Sequence, residues 1–556
     1  MHLDCFLAFM TFLSNICKGC LLNWPWFNCP CLHPKILLIL IYPSLGSGSK
    51  ISRQKGSASV DKASAKTCLK SNLARELADY QITASPLNPK FHLEDRLSEV
   101  EDCRVVKANG RRQVYHLQTP DGGYFLKRSY LVRTKDRLRH FFLPRRRWAE
   151  WRNLHRLRQA KIPAARPLAK GQRTIIRPKS YFVLTEQVPG THIPINSFAN
   201  ARRLGQYAAF LHRSGIYHAD LNRKNFILNP EGQIFLLDAQ EVYFLPWMPH
   251  RLMVNSLGRT IFNLCTLDDP KSWVARFLEG YNQGFSKSMI FSEVIEAARR
   301  HQHRHYRSRS KRCCKNSTEF EKIRNRHLRG YKRRDFNWGA SELKQAEEKG
   351  EALKGAHVIC YQGVCIKKHH RRFFHQNRCL ASWKMSRALE VRGIAVPCSL
   401  GYFEIKGQSY FLAELLGDRL HLNAYLSALT DERVKRQALK KFALWLKKFH
   451  DTDVWQRDFK SSNILYQNGN YFMVDLDGVR IRHLSRQDKI YNLAQLNASV
   501  SNAITIKDRL RFYHYYSVGR QLTRLQRRAI YRKVWNITGT KNTAQYNLFP
   551  EKFELG

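Results

Sequence analysis

Two stretches of the sequence carry the same polar residues at nearly the same spacing. Each has an aspartate, an asparagine five residues later, and a second aspartate after a run of β-type residues. The two sets are Asp220, Asn225 and Asp238 in the first stretch, and Asp458, Asn463 and Asp475 in the second. Upstream of each set, a strand-like run ends in a lysine, Lys127 in YFLK and Lys367 in VCIK.

These are the residue types that phosphoryl transfer from ATP requires. A strand lysine offsets the charge of the α- and β-phosphates, and the first aspartate positions the attacking hydroxyl and accepts its proton. The asparagine and the second aspartate hold Mg²⁺ against the phosphates. We therefore predict Lys127 and Lys367 as nucleotide-binding residues and Asp220 and Asp458 as catalytic bases, with the remaining members of each set as Mg²⁺ ligands.

The order and spacing of the two sets indicate an internal repeat. The offset between the copies is 240 residues at the lysine, 238 at the first aspartate and 237 at the last. The expected product is a tandem duplication of one domain of about 200 residues, a size that can bury its own core.

Composition limits the class of protein and of partner. The chain has 556 residues and a formal net charge of +51, with 43% hydrophobic residues. A disordered tail, a collagen and a small disulfide scaffold are excluded. The charge predicts an anionic partner, which nucleic acid, a phosphate-bearing nucleotide, an anionic glycolipid or an anionic membrane surface would each satisfy.

The organisation along the chain follows from these features. Residues 1–70 hold short apolar runs, several cysteines and a Gly/Ser/Lys-rich linker; they are either a weak membrane-contacting segment or the product of a wrongly assigned translation start. The N-terminal cysteines form either a zinc site of unusual spacing or an incidental cluster, and the scattered cysteines elsewhere predict a reducing compartment. We then expect domains at 100–295 and 341–525, a solvated basic linker at 296–340 and a C-terminal tail at 526–556.

The motifs resemble those of the protein-kinase-like superfamily and, within it, the lipopolysaccharide core kinases, the Kdo kinase and heptose kinase family of Gram-negative bacteria. The resemblance covers roughly residues 100–290 and 345–520. It includes the flanking segments WRNLHRLRQAKIPAARPLA (151–169) and WKMSRALEVRGIAVPCSLG (383–401), and in the second copy VDLDGVRI with the run from Arg486 to Asn497. HADLNRKN in the first copy looks closer to Kdo kinases.

The resemblance implies an α+β fold of two tandem kinase-like domains, each with a small β-rich N-lobe and a mainly helical C-lobe. ATP would bind in the cleft between the lobes. The hinges would lie near LTEQVPG (184–190) and LAELLGD (412–418), where Glu186 and Glu414 occupy matching places and backbone groups could bind adenine.

The two copies depart from the family pattern in different ways. Glu150 can supply the acid that pairs with Lys127, but Ser382 stands at the matching place, so Lys367 must pair with another acid or with none. Ala219 replaces the usual arginine before the catalytic aspartate, which removes the anchor for a phosphorylated activation loop. Gln456 replaces the usual histidine, the metal triplets read DAQ and DLD, and neither copy has a full G-x-G-x-x-G loop.

The leading hypothesis is an ATP- and Mg²⁺-dependent kinase that phosphorylates sugar hydroxyls, Kdo or heptose, of the lipopolysaccharide inner core. It would be cytoplasmic and peripheral at the inner face of the bacterial inner membrane, with the anionic core glycolipid as acceptor. The alternatives are a kinase with another acceptor, a protein or another glycan, and a basic nucleic-acid-binding scaffold with inactive kinase folds. A mixed case, with the first copy catalytic and the second regulatory, also stays open.

Overall fold

The computed structural model describes residues 73–545, apart from 90, 133, 135–136, 138–145, 174–178, 195–196, 263–269, 286–287, 355–356, 371–376 and 521. The predicted N-terminal segment and its cysteines therefore lie outside the described residues. The described residues belong to one compact unit. Within the described part, the seven cysteines are free thiols.

The first domain begins with a six-stranded antiparallel sheet in the order β1-β5-β6-β4-β3-β2. Helix α2 packs next to it, and Glu150, Trp151, Leu154 and Leu157 form its buried stripe at the spacing of an amphipathic helix. The elements are β1 Tyr80–Ala84, α1 Leu93–Ser98, β2 Asp102–Asn109, β3 Arg112–Thr119, β4 Gly122–Tyr130, α2 Ala149–Gln159, β5 Pro167–Arg173 and β6 Ser180–Glu186.

A mainly helical lobe follows, with small β-ribbons that carry the first polar set. Its core includes Leu204, Leu257, Phe277 and Val294, one from each of its four helices. The elements are β7 Thr191–His192, α3 Phe198–Arg213, β8 Ile216–His218, β9 Phe226–Leu228, β10 Ile234–Leu236, β11 Val242–Phe244, α4 His250–Ile261, α5 Pro270–Asn282 and α6 Phe291–Ser310.

The second domain repeats this plan with a seven-stranded sheet in the order β12-β13-β17-β18-β16-β15-β14. Helix α8 packs on this sheet and buries Trp383 completely. The elements are β12 Phe320–Arg324, β13 Arg329–Arg333, α7 Ala340–Lys349, β14 Glu351–Lys354, β15 Val358–Tyr361, β16 Val364–His370, α8 Arg378–Val391, β17 Ser399–Ile405 and β18 Gln408–Glu414.

The second helical lobe is built around α10, whose buried residues recur every three or four positions from Ala438 to Phe449. Asp431 caps this helix by accepting bonds from the amides of Arg433 and Val434. The elements are β19 Leu420–His421, α9 Leu422–Ser427, α10 Glu432–Asp451, β20 Val454–Gln456, β21 Ile464–Gln467, β22 Asn470–Met473, β23 Val479–Ile481, α11 Arg486–Ser499, α12 Ile506–Ser517 and α13 Arg524–Gln545.

The basic segment expected to be a solvated linker at 296–340 is instead folded. It contains most of α6 and the strands β12 and β13, and β13 pairs with β17 in the sheet of the second domain. Phe320 is completely buried with its ring 5.6 Å from that of Trp383. The charge run hid these strands, because in β12 the basic residues Lys322 and Arg324 are exposed and only Phe320 is buried.

The C-terminal tail expected at 526–556 is also part of the fold as far as residue 545. Helix α13 buries Val534 in the core of the second domain, and Asn497 Nδ2 of α11 donates to Thr538 Oγ1 at 3.2 Å. Residues 546–556 lie outside the described residues.

Candidate active sites

The first domain assembles the lysine and acid predicted from its sequence. Lys127 is on β4 and Glu150 is at the start of α2, and the Lys127 ammonium bonds Glu150 Oε1. Arg112 Nη2 lies 3.1 Å from Glu150 Oε2. Burial alone would raise the pKa of Glu150, but the charges of Lys127 and Arg112 outweigh it and hold this pKa below its usual range. Glu150 is therefore an ionised, buried anchor for two cations.

In the second domain the strand lysine pairs with different acids. Ser382, at the place of Glu150, is buried and donates to the carbonyl of Arg378 at 3.0 Å. Lys367 Nζ instead lies 2.5 Å from Asp475 Oδ1 and 3.6 Å from Asp477 Oδ1. The acids that pair with Lys367 are therefore the two aspartates of the DLD triplet.

Asp477 is the buried centre of this cluster. Its side chain is 4% exposed and also accepts a bond from Arg378 Nε. Burial would raise the pKa of Asp477, but Lys367, the neighbouring Asp475 and Arg378 together lower it to about 2. Asp477 therefore serves as a fixed negative charge between Lys367 and Arg378.

The loops that carry the first aspartate and the asparagine have the same geometry in both domains. Asn225 Nδ2 donates to the backbone carbonyl of Asp220 at 2.7 Å, and Asn463 Nδ2 donates to that of Asp458 at 3.0 Å. Each asparagine closes a short 3₁₀ turn, Arg223–Asn225 or Ser461–Asn463, directly before a strand. Because the amide nitrogen is used within the loop, the amide oxygen is the end of the side chain that can bind a cation.

His218 and Gln456 perform the same structural role despite their different chemistry. His218 Nδ1 accepts from the amide of Asp220 at 3.1 Å, and Nε2 donates to the carbonyl of Leu237 at 3.2 Å. Gln456 Oε1 accepts from the amide of Arg457 at 3.1 Å, and Nε2 donates to the carbonyl of Asp475 at 3.0 Å. Each side chain therefore connects the loop of the first aspartate to the strand end that carries the second aspartate.

The second aspartates are both in the left-handed backbone region, with φ of 55° for Asp238 and 58° for Asp475. Few residue types accept this conformation, and aspartate is one of them. Asp238 Oδ1 is buried and, within the described part of the chain, has no hydrogen-bond partner. An unpaired buried carboxylate oxygen and an asparagine amide oxygen are both donors suited to Mg²⁺. Asn225 and Asp238 therefore fit the ion in the first domain, and Asn463 and Asp475 offer the same donors in the second.

The predicted hinge residues end matching strands. Glu186 ends β6 and Glu414 ends β18. The residue after each donates its amide across the sheet, Gln187 to the carbonyl of Gly123 and Leu415 to that of Gly363, both at 2.8 Å. Glu186 Oε1 lies 3.3 Å from Arg166 Nη1. Adenine binding along these segments stays a prediction.

Two arginines of the first site were missed by sequence reasoning. Arg112 starts β3 after the turn at KANGRRQ, where Asn109 Oδ1 accepts from the amides of Arg111 and Arg112. Arg259 on α4 donates from Nε and Nη2 to Asp220 Oδ1, at 2.9 and 2.7 Å. The sequence carries no spacing signal for either, because tertiary packing alone brings them to the site.

A comparison with known families accounts for both domains. The model of the lipopolysaccharide kinase (Kdo/WaaP) family matches residues 98–281 and 320–516. The chain belongs to this family. Two curated relatives are 3-deoxy-D-manno-octulosonic acid kinases of Stenotrophomonas maltophilia. The one from strain K279a is 29% identical over 212 residues, which is 33% of this chain and 81% of the relative; the one from strain R551-3 is 30% identical over 156 residues, 24% and 59% respectively.

Two solved structures are similar in fold. WaaP in complex with acyl carrier protein has 18% identity and a TM-score of 0.29, over 39% of this chain and 92% of that one. An aminoglycoside-3'-phosphotransferase of type VIII has 17% identity and a TM-score of 0.27, over 35% and 91%.

The family settles the class of reaction. The protein is a phosphotransferase with a nucleotide donor and an alcohol acceptor, and its fold is two tandem kinase-like domains, as the sequence predicted. Among the helices of the described part, none is both long enough and apolar enough to cross a bilayer.

Proposed function

We propose that this protein transfers the γ-phosphoryl group of ATP to a Kdo or heptose hydroxyl of the lipopolysaccharide inner core. The observation that carries the proposal is the presence of the Lys, Asp, Asn and Asp set in both kinase-like domains of a chain in the lipopolysaccharide kinase family. The curated relatives are named as kinases of 3-deoxy-D-manno-octulosonic acid, which favours Kdo as acceptor.

We propose a role in the reaction for four side chains of the first domain, Asp220, Arg259, Lys127 and Glu150. The acceptor hydroxyl oxygen attacks the γ-phosphorus, the bond from that phosphorus to the β–γ bridging oxygen breaks, and ADP leaves. The hydroxyl proton goes to Asp220. Both bonds from Arg259 end on Oδ1, so Oδ2 is the oxygen left to accept this proton. Lys127, held by Glu150, would bind the α- and β-phosphates.

Mg²⁺, when bound, would neutralise phosphate charge as the transition state forms. Its proposed ligands are Asn225 and Asp238 in the first domain, and Asn463 and Asp475 in the second. In the second domain Lys367 is bonded to Asp475, so the proposed phosphate-binding lysine and a proposed Mg²⁺ ligand are in direct contact there.

The net charge of the protein is consistent with the proposed location at an anionic membrane surface. A formal net charge of +51 favours association with an acceptor dense in phosphate and carboxylate, presented on an anionic leaflet. We propose a cytoplasmic protein that binds peripherally at the inner face of the bacterial inner membrane.

The test is transfer of radiolabelled phosphate from ATP to phosphate-free inner-core lipopolysaccharide by the full chain. Asp220→Asn, Asp458→Asn and the double variant are compared with Asp335→Asn, a matched change at an exposed aspartate. Mass spectrometry of the products identifies the sugar and the hydroxyl. We expect transfer to fall by at least a hundredfold in the double variant and to stay unchanged in the control.

The outcomes separate the possible assignments. Loss of one product in each single variant supports two active sites, and complete loss in one single variant assigns the reaction to that domain. If the wild type binds ATP but labels neither Kdo nor heptose, the acceptor is another glycan or a protein, and the proposal is wrong about it. If it binds no ATP and binds nucleic acid, the scaffold alternative replaces it.

A further inference from the structure

A cation contacts the catalytic aspartate in each domain, but it comes from a different element. In the second domain Lys460, two residues after Asp458, lies 3.0 Å from Asp458 Oδ2. The matching residue of the first domain is Asn222, whose side chain caps the 3₁₀ turn by accepting from the amide of Lys224. Here the cation is Arg259, 39 residues away on α4.

The second domain has no cation at the position of Arg259. Helices α4 and α11 begin 236 residues apart, at His250 and Arg486, and the buried positions of α4 coincide with buried positions of α11 at this offset. Gln495 of α11 is therefore opposite Arg259, and its neutral side chain accepts from the amide of Phe459 and donates to the carbonyl of Arg457. The cation has therefore changed its place between the two copies.

Helix α6 holds Arg259 in the orientation that reaches Asp220. His301 on α6 is buried, and its Nε2 lies 3.0 Å from the carbonyl of Asn255, which can only accept a bond. Nε2 thus carries the hydrogen, and Nδ1 is the acceptor that faces Arg259 Nη1 at 3.4 Å. The guanidinium is therefore held on one side by His301 and bonds the catalytic carboxylate through two other nitrogens.

A glycine makes this approach possible. Gly258 lies on α4 next to Arg259, and a Cβ placed there would come within 2.5 Å of Ala297 Cβ on α6. The two helices can pack this closely only because no side chain separates them. Thr260 on the other side of Arg259 donates to the carbonyl of Leu221 at 2.8 Å and fastens α4 to the catalytic loop.

We propose that Arg259 is the positioning residue for Asp220, and that it fills in the first domain the role that Lys460 fills in the second. By holding Oδ1, it fixes the carboxylate with Oδ2 toward the acceptor hydroxyl. It also places a positive charge beside the site of transfer, where the charge of the transferring phosphoryl group is stabilised. This inference rests on the proposed role of Asp220 as catalytic base.

The experiment exchanges the two arrangements within the first domain. All variants are made in full-length Asp458→Asn protein, so that transfer reports the first domain. They are Arg259→Leu, which removes the charge and the hydrogen bonds to Asp220, Arg259→Lys, and Arg259→Leu combined with Asn222→Lys. Arg203→Leu, at an exposed arginine of α3, is the matched control. kcat and the KM for ATP are measured for each.

We expect kcat to fall ten- to a hundredfold in Arg259→Leu, with the KM for ATP changed less than threefold. Arg259→Lys should keep a higher kcat than Arg259→Leu. Adding Asn222→Lys to Arg259→Leu should raise kcat at least fivefold. A purely structural role of Arg259 would not allow this recovery. The control should match the parent protein.

Two results would overturn the inference. One is an Arg259→Leu kcat within twofold of the parent while Asp220→Asn abolishes transfer. The other is a loss in Arg259→Leu that neither Arg259→Lys nor Asn222→Lys relieves, because the arginine would then be needed for folding alone. If Asp220→Asn itself transfers phosphate normally, the proposed role of Asp220 is wrong, and that failure is distinct from the first two.

Discussion

Lys367 Nζ lies 2.5 Å from Asp475 Oδ1, so the proposed phosphate-binding lysine of the second domain is bonded to a proposed metal ligand of the same site. In the first domain the lysine, Lys127, instead pairs with Glu150, which is on a helix of the N-lobe. The lysine of the first domain is thus held by a residue with no other proposed task, whereas that of the second is held by the metal site itself.

The two aspartates of the DLD triplet should differ in their importance for stability. Asp477 is 4% exposed and binds both Arg378 and Lys367, whereas Asp475 is 40% exposed. Loss of a buried charged hydrogen-bond partner costs about 1.5–3 kcal/mol, and loss of an exposed ion pair costs about 0–1 kcal/mol. We therefore expect Asp477→Asn to lower the free energy of unfolding of the second domain more than Asp475→Asn does, as measured by urea denaturation. Equal effects would contradict the assignment of Asp477 as the buried anchor.

Glu150 should be needed for nucleotide use by the first domain. Glu150→Gln keeps the shape of the side chain but removes the charge between Lys127 and Arg112. Loss of a charged hydrogen bond of about 1.5–3 kcal/mol corresponds to about a tenfold to a hundredfold fall in kcat/KM for ATP. The measurement is phosphate transfer in the Asp458→Asn background, with Glu296→Gln, at an exposed glutamate of α6, as control. An unchanged kcat/KM would show that Lys127 needs no anchor.

The sequence predicted the parts of each site that are local to one loop or one strand end. The spacing from Asp220 to Asn225 fits a single 3₁₀ turn, and Asp238 follows a strand that must end there. The Lys127–Glu150 pair could also be predicted, because one strand and one helix recur in this order in kinase-like folds. Arg259 could not, because its contact with Asp220 depends on how α4 packs against α6.

Charge misled the interpretation of residues 296–340. A count of basic residues indicates solvent exposure, but a few apolar residues are enough to attach two short strands to a core. Phe320, Ile323, Leu328 and Tyr331 are those residues in the basic run, and because they are three to five positions apart they show no strand alternation in the sequence. Arg387, whose guanidinium lies 5.0 Å from the ring centre of Phe320 and also bonds Glu319, shows how cations are accommodated beside the core.

Acid should destabilise both domains through a buried histidine that they share. His212 Nδ1 and Tyr281 Oη are 2.8 Å apart in the first domain, and His450 Nδ1 and Tyr516 Oη are 2.7 Å apart in the second. Burial lowers the pKa of His212 to about 4, and burial with nearby cations lowers that of His450 to about 3. Both histidines are therefore neutral in the folded protein at pH values where an unfolded histidine is protonated.

The sign of the pH effect follows from these shifts. Below an unfolded pKa of about 6.5 the unfolded chain binds the protons more tightly, so stability falls as the pH is lowered from 6.5 toward the folded values. Between pH 6.5 and 5 each histidine should cost about 2 kcal/mol. Urea denaturation at pH 7.5 and pH 5 measures the change in the free energy of unfolding. His450→Gln should reduce this change for the second domain and leave the change for the first domain as it is. A stability that does not change over this range would contradict neutral burial.

A glycine in the first domain should be intolerant of alanine, although the second domain has alanine at the matching place. Gly205 on α3 faces α5, and a Cβ there would lie 2.0 Å from the carbonyl oxygen of Phe277. Its counterpart 238 residues later is Ala443, which is completely buried on α10. Helix propensity favours alanine by about 1 kcal/mol, but forcing α3 and α5 apart costs about 1–3 kcal/mol. We expect the packing cost to outweigh the gain in Gly205→Ala.

Amide hydrogen exchange can assign this effect to one domain. In Gly205→Ala, exchange should be faster in peptides from α3 and α5 and unchanged in those from α10 and α12, because the clash lies at the crossing of the first pair of helices. Ala443→Gly is the matched reverse change. It removes a buried methyl group and weakens α10, so exchange should be faster in the second domain alone. Slower exchange in α3 after Gly205→Ala would mean that helix propensity, and not the close approach of the two helices, determines the choice of residue at this position.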